Sequence, residues 1–217
     1  MSYSPFIAPY NQLPETLPIF PLPGAIVMPG SELPLNIFEP RYLNMVSDAL
    51  STHHMIGMIQ PDPNARDANV LCHTGCAGRI TQYRETNDGR IEMVLSGVCR
   101  YDLGEELPTT RGYRLIVPDW SRFSDDYTNH EDPLRREHDH LIRMLKRYFD
   151  AKGLQADWSM LERLSTVRLM NSLSMALPIS EQDKQLLLET VEPAQRLNTF
   201  TSLLGDGFRA PGSVTRH

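Results

Sequence analysis

The chain has 217 residues, 41% of them hydrophobic and 22% charged, with a formal net charge of −6. That length suits two modest subdomains, and the negative balance disfavours nucleic acid or an anionic membrane as partner, since phosphate binding needs a concentrated basic surface. Three cysteines are too few for a secreted disulfide framework. No basic leader and no apolar run of about 18 residues is visible, so a cytoplasmic protein with no membrane contact is expected.

Residues 1–16 read as an irregular arm. Leu17–Tyr42 (LPIFPLPGAIVMPGSELPLNIFEPRY) then holds six of the 17 prolines among residues of strand type. Proline cannot donate to a ladder, so short strands broken at fixed points are expected, with Pro23-Gly24 and Pro29-Gly30 as turns. Pro40 fits the first position of a helix, which Leu43, Val46 (or Met45), Ala49 and Leu50 continue at helical spacing. Met55–Ile59 is a buried strand candidate and PDPNARDAN (61–69) a polar loop. Val70–Glu85 and Arg90–Tyr101 flank Asn87-Asp88-Gly89, a strong hairpin signal. Gly75, Gly78 and Gly97 inside the hairpin predict bulges or close backbone approach, as in a small twisted barrel. Tyr113–Val117 is the last strand expected.

Composition shifts near Pro118. Asp119–Asp132 reads as an acidic linker, and everything beyond it as helical. Leu134, Leu141, Leu145 and Tyr148 form one stripe, stopped by Lys152-Gly153. Asp157 caps a second helix carrying Trp158, Leu161, Leu164, Val167 and Met170. Ser180 with Asp183 reads as a capping box before Leu186–Leu188, and Pro193 opens a fourth helix with Leu197, Phe200 and Leu204, ended by Gly205. The tail APGSVTRH is expected to be disordered. The division is thus a β-rich unit over 1–118 and a helical unit over 119–217, an α+β chain. The two units carry 8 basic and 12 acidic residues (net −4) and 13 and 15 (net −2).

These motifs resemble, in order, the N-terminal substrate-recognition domain of Lon-type ATP-dependent proteases, and most closely small stand-alone bacterial proteins made of that domain alone. The resemblance rests on Leu17–Tyr42 with PLPG (21–24) and FEPRY (38–42), GCAGRI (75–80), DGR (88–90) with LSGVCRY (95–101), and LPISEQDKQLLLE (177–189). It implies a PUA-like pseudobarrel followed by a small helical bundle, and a module that recognises unfolded or exposed polypeptide, as an adaptor in protein degradation. An ATP-dependent protease is the partner it implies. The chemistry of full-length members has no counterpart in these residues. There is no Gly-Lys pair from which to build a phosphate-cradling loop, and none of the three lysines (Lys146, Lys152, Lys184) lies near a Lon-like serine motif. A non-enzyme is therefore expected.

Cys72-His73 with Cys76 invites zinc, joined by His53 or His54. Residues four apart in a strand lie about 13 Å apart, whereas two thiolates on one zinc lie within about 4 Å, so buried cysteines are the expectation. No metal or cofactor is expected. His130, His138 and His140 are expected on a solvated face, and Arg135, Arg136, Arg143 and Arg147 on an ion-paired helix surface. Glu39 is expected to accept from the free N–H groups of the helix it precedes, and Arg41 to tie that helix to the barrel. Met28, Phe38 and Tyr42 are core candidates. Whatever they expose would, with Arg41, make the candidate polypeptide-binding positions, because methionine and aromatic surface adapts to varied apolar segments; the same holds for Met55 and Met58. A groove where barrel meets helices is the expected place for binding. The alternative is an RNA-binding PUA-like protein, for which Arg79, Arg84, Arg90, Arg100, Arg111 and Arg114 would line one face. A hydrolase lacks a nucleophile elbow or an ordered Ser/His/Asp set, and a purely oligomerising bundle stays open.

Overall fold

The computed structural model describes residues 10–67, 69–127 and 132–206. Their β part contains β1 (Leu17–Pro21), β2 (Glu32–Ile37), α1 (Pro40–Leu50), β3 (Met55–Ile59), β4 (Thr74–Glu85), β5 (Ile91–Leu107) and β6 (Arg114–Asp119). The sheet runs β2-β5-β4-β3-β1-β6, and β5 pairs with β6 as well. That last pairing closes β1, β3, β4, β5 and β6 into a ring. The 17-residue β5 makes this possible: its first half pairs with β2 (Ile91↔Ile37 to Ser96↔Glu32), and its second half with β6 (Asp102↔Asp119). β1 runs parallel to β3, and every other pair is antiparallel.

The glycines act as their spacing predicts. Register shifts fall between Ala77/Gly78 and Ile80/Gln82. A Cβ on Gly97 would run into the Met28 carbonyl, and one on Gly75 into the Met58 carbonyl and the Tyr101 ring. Gly89, at a φ of 79°, closes the 86–90 turn, where Thr86 N donates to Arg90 O. The hairpin differs from expectation at both ends. Residues 70–73 stay outside β4, held by a Pro61–Leu71 bridge and Cys72 N donating to Gln60 O. β5 runs six residues past Tyr101 because β6 supplies ladder partners that no local pattern announces. Pro118 lies inside β6, opposite Leu103 where the register shifts, which relaxes the demand on its missing N–H.

Residues 119–127 are not a free linker. Ser121–Tyr127 forms 3-10 turns that bury Phe123 against β5. Helices follow: α2 (His138–Lys152), α3 (Trp158–Leu161), α4 (Thr166–Ala176), α5 (Glu181–Glu189) and α6 (Pro193–Asp206). Gly153 caps α2 in the left-handed region, and the side chains of Asp157, Ser165 and Ser180 accept from free N–H groups at the starts of α3, α4 and α5. The single helix expected from Asp157 to Met170 is therefore two, because Ser165 starts a new one. Gly205 lies inside α6 and does not end it. The tail APGSVTRH lies outside the described residues.

Three apolar clusters hold the molecule together. Phe20, Ile26–Met28, Ile37 and the α1 residues Tyr42, Met45, Val46 and Ala49 pack with Ile56, Met58, Met93 and Leu95. Leu17, Ile19, Met55, Ile59, Tyr101 and Ile116 form a second cluster. Helices α2, α4, α5 and α6 share a third around Leu145, Leu169, Leu187 and Phe200. Leu188 of α5 belongs to the first cluster, so the helices also pack on the barrel.

Candidate functional site

The proline-rich segment is the seat on which the helices rest. Its two turns place glycine at positive φ, 69° at Gly24 and 74° at Gly30, so the chain reverses with its carbonyls turned outward. Helix residues take those carbonyls. Lys184 Nζ donates to Gly24 O at 2.9 Å, Asn171 Nδ2 to Pro29 O at 2.9 Å, and Arg168 Nη2 to Gly30 O at 3.0 Å. Gln60, 1% exposed, donates to Glu181 O and Gln185 Oε1, while its own Oε1 accepts from Gly24 N.

A second polar junction is deeper. Arg100 of β5 is 2% exposed and forms a bidentate pair with Asp126 at 2.7 and 2.8 Å. Its guanidinium also donates to Leu188 O, Thr190 O and Val191 O. Leu188 O lies in the last turn of α5 and Thr190 and Val191 just past it, where the helix leaves its final carbonyls unpaired and partially negative. A barrel arginine thus completes a helix terminus. Arg196 of α6 reaches Thr190 O from the other side, and burial, then the Arg100 charge, pull its pKa down to about 10. At this junction, where a binding groove is expected, Gln60, Arg100 and Gln185 lie hydrogen-bonded between barrel and helices.

The four candidate polypeptide-binding residues separate by burial. Met28 is fully buried and Tyr42 is 7% exposed, its ring 4.3 Å from that of Phe20; both belong to the first core cluster. Met55 and Met58 are likewise buried. Phe38 is 60% exposed, with the Arg90 guanidinium 5.6 Å from its ring. Arg41 is exposed, paired with Glu39 at 2.8 Å and lying over the Tyr42 ring. Glu39 makes no side-chain cap bond, because its carboxylate is turned to Arg41. Phe38 and Arg41 thus share the surface around the start of α1.

The remaining polar residues are largely satisfied within the chain. Arg84, Arg90, Arg100, Arg111 and Arg114, five of the six arginines that an RNA face would need, pair with Glu92, Asp88, Asp126, Asp48 and Glu106. All three thiols are free and buried. Burial, reinforced by the Asp62 and Glu189 charges, pushes Cys72 up to about 11, and burial raises Cys76 and Cys99 too, so none is a thiolate at neutral pH. Among the described residues no group of three or more His, Cys, Asp and Glu is placed to hold a metal. His138 faces Thr166 and the Glu162 carbonyl; His130 lies outside the described residues. No described helix is long and apolar enough to cross a membrane.

Sequence reasoning missed one surface. Beside β2, Pro34, Leu35, Asn36, Tyr83, Met93 and Val94 line an open depression of about 570 Å³. The signal was present in the alternation Leu33, Leu35, Ile37 against Glu32, Pro34, Asn36, which marks a strand with one exposed face.

Comparison with known proteins fits this architecture. A model of the ATP-dependent protease La (LON) substrate-binding domain matches residues 16–206. Lon protease 2 of Bdellovibrio bacteriovorus is 24% identical over 207 residues, covering 89% of this chain and 25% of that protein. A Lon protease of Heliobacterium modesticaldum is 26% identical over 200 residues, covering 89% and 24%. The chain thus spans about a quarter of the length of the curated relatives it matches. A solved Lon N-terminal domain protein from Xanthomonas campestris superposes with a TM-score of 0.62 at 26% identity, covering 86% of this chain and 97% of that one. The N-terminal domain of a Mycobacterium avium complex Lon protease shares the fold, with a TM-score of 0.66 at 16% identity and coverage of 88% and 98%. With the match running through both barrel and helices, the chain belongs to the family of ATP-dependent protease La (LON) substrate-binding domains.

Proposed function

We propose that the chain is a polypeptide-recognition module with no catalytic chemistry of its own, which binds unfolded or exposed segments and works as an adaptor beside an ATP-dependent protease. The observation that carries this reading is the family match over residues 16–206, which spans a substrate-binding domain and no ATPase or protease domain. The inward consumption of polar groups is in keeping with it: the buried arginines, glutamines and thiols serve the fold, and four of the arginines on the barrel are ion-paired at its surface. Phe38 and Arg41 supply an apolar ring and a cation at the same corner, suited to mixed apolar and acidic segments.

The test is binding of the purified chain to a reduced, carboxymethylated model protein, followed by anisotropy, with the folded form of that protein as control. Binding is expected to the unfolded form alone, and Phe38→Ala should weaken it several-fold without lowering thermal stability. Equal binding to both forms, or to neither, would count against the proposal.

A further inference from the structure

Among the described residues one edge of the sheet is left open, and its chemistry can be read from the ladder. β2 ends the strand order and pairs with β5 alone. Gly97 N donates to Ser31 O, and Gly97 O accepts from Gly30 N, so residue 97 turns its backbone groups toward the β2 side. Antiparallel ladders alternate, and the register from Glu32↔Ser96 to Ile37↔Ile91 has no shift. Leu95, Met93 and Ile91 therefore face β2, and Leu33, Leu35 and Ile37 face them in return. The N–H and C=O groups of Glu32, Pro34 and Asn36 point the other way, to the free edge. Proline at 34 fits, because its missing N–H falls where no ladder bond is lost. The edge thus offers three carbonyls and two N–H groups. Among the described residues Glu32 and Asn36 make no side-chain hydrogen bond or ion pair that would occupy them, and both are exposed.

We infer that this edge is a strand-addition site, on which an extended segment of an unfolded polypeptide, carrying a lysine or arginine, pairs with β2. This rests on the function proposed above and names the way the segment is held. Three features favour that occupant. A row of backbone groups recognises another backbone whatever its side chains, which suits a module for varied unfolded chains. The open depression on the sheet face across β2, β5 and β4, walled by Pro34, Gln82, Tyr83, Glu92 and Val94, gives long side chains of the added strand a mixed apolar and polar seat beside β2. The unpaired Glu32 carboxylate at the start of the edge adds a preference for a cation there. Pro34 has a second consequence. A single missing donor limits edge-to-edge pairing of folded copies, a common use of proline on exposed strands, while a flexible segment can still use the remaining groups.

The experiment uses the whole chain and two probes. One is a short peptide of alternating valine and lysine. The other has the same side chains but is N-methylated at every residue and so lacks backbone donors. The first should bind and slow amide exchange at Glu32 and Asn36, and the second should not. Pro34→Val restores a donor on the edge and should tighten binding by a few-fold, about the worth of one hydrogen bond. Asn36→Pro removes a donor and should weaken it by a similar factor, and Glu32→Gln should reduce the preference for lysine. The carboxymethylated model protein separates the two levels of inference. If it fails to bind, the recognition function itself is lost. If it binds while the Glu32 and Asn36 amides stay unshielded and Pro34→Val changes nothing, the edge is not the site and recognition lies elsewhere. Protection of those amides that grows with protein concentration, with no probe added, would give the edge to a second copy and overturn the inference.

Discussion

The barrel and the helices are stabilised in different ways. Each helix carries much of its own specification: Ser165 and Ser180 cap α4 and α5, Gly153 closes α2, and Pro193 opens α6. The barrel carries little that is local. Its closure depends on β5 meeting β6 and on β1 lying parallel to β3, pairings between residues far apart in the chain. Where the two meet, neither device serves, and buried polar side chains make the joint. The helices are thus specified residue by residue, whereas the barrel and the joint are specified only once the chain has folded back on itself.

The largest effect is expected from removing the joint. Arg100→Leu leaves Asp126 buried without its cation and the Leu188 and Val191 carbonyls without the Arg100 donor, while Thr190 O keeps Arg196. Breaking a buried pair from one side costs about 3–5 kcal/mol, which is expected as a large fall in the denaturation midpoint. The double variant Arg100→Leu with Asp126→Leu removes the stranded charge and should recover part of the loss. Full recovery would mean that the α5 carbonyls do not need Arg100, and that the joint is an ion pair and nothing more.

A smaller effect tests the barrel alone. At Gly97 a Cβ would meet the backbone carbonyl of Met28, which cannot swing aside as a flexible side chain could. Gly97→Ala is expected to cost about 1–3 kcal/mol, the usual range for overpacking. Amide exchange should quicken in β4 and β5 before it does in α2 or α6. Equal loosening of both regions would show that the barrel and the helices unfold as one unit.

What was legible follows the same division. The helix starts at Pro40, Ser180 and Pro193 were readable because a cap or a proline acts on its immediate neighbours. The hairpin around Gly89 was readable for the same reason. The split at Ser165 was hidden by an unbroken apolar stripe from Trp158 to Met170, which continues across the cap. The extension of β5 to Leu107 was hidden because its partner β6 is supplied from beyond the turn, and in sequence nothing sets Asp126 apart from the other acids of its polar stretch, because its partner Arg100 is distant along the chain. The candidate surface divided likewise. Burial of Met28 and Tyr42 depends on how α1 lies over the sheet, which composition does not state, while the open side of β2 was already present in the alternation around Pro34.

The smallest effect tests the claim that helices are locally specified. Ser180 Oγ accepts from Asp183 N at 3.1 Å and donates to Asp183 Oδ2 at 2.6 Å, so one hydroxyl serves both halves of the cap. Ser180→Ala should cost about 1 kcal/mol, as N-cap losses commonly do. The loss should stay in the first turn of α5, where faster exchange is expected at Asp183. It should not spread to β5, because Gln60 still holds Glu181 O and Gln185 from the barrel side. If Ser180→Ala instead loosened β5 as much as Arg100→Leu, the cap would be acting through the joint, and the first turn of α5 would belong with the non-local part of the fold.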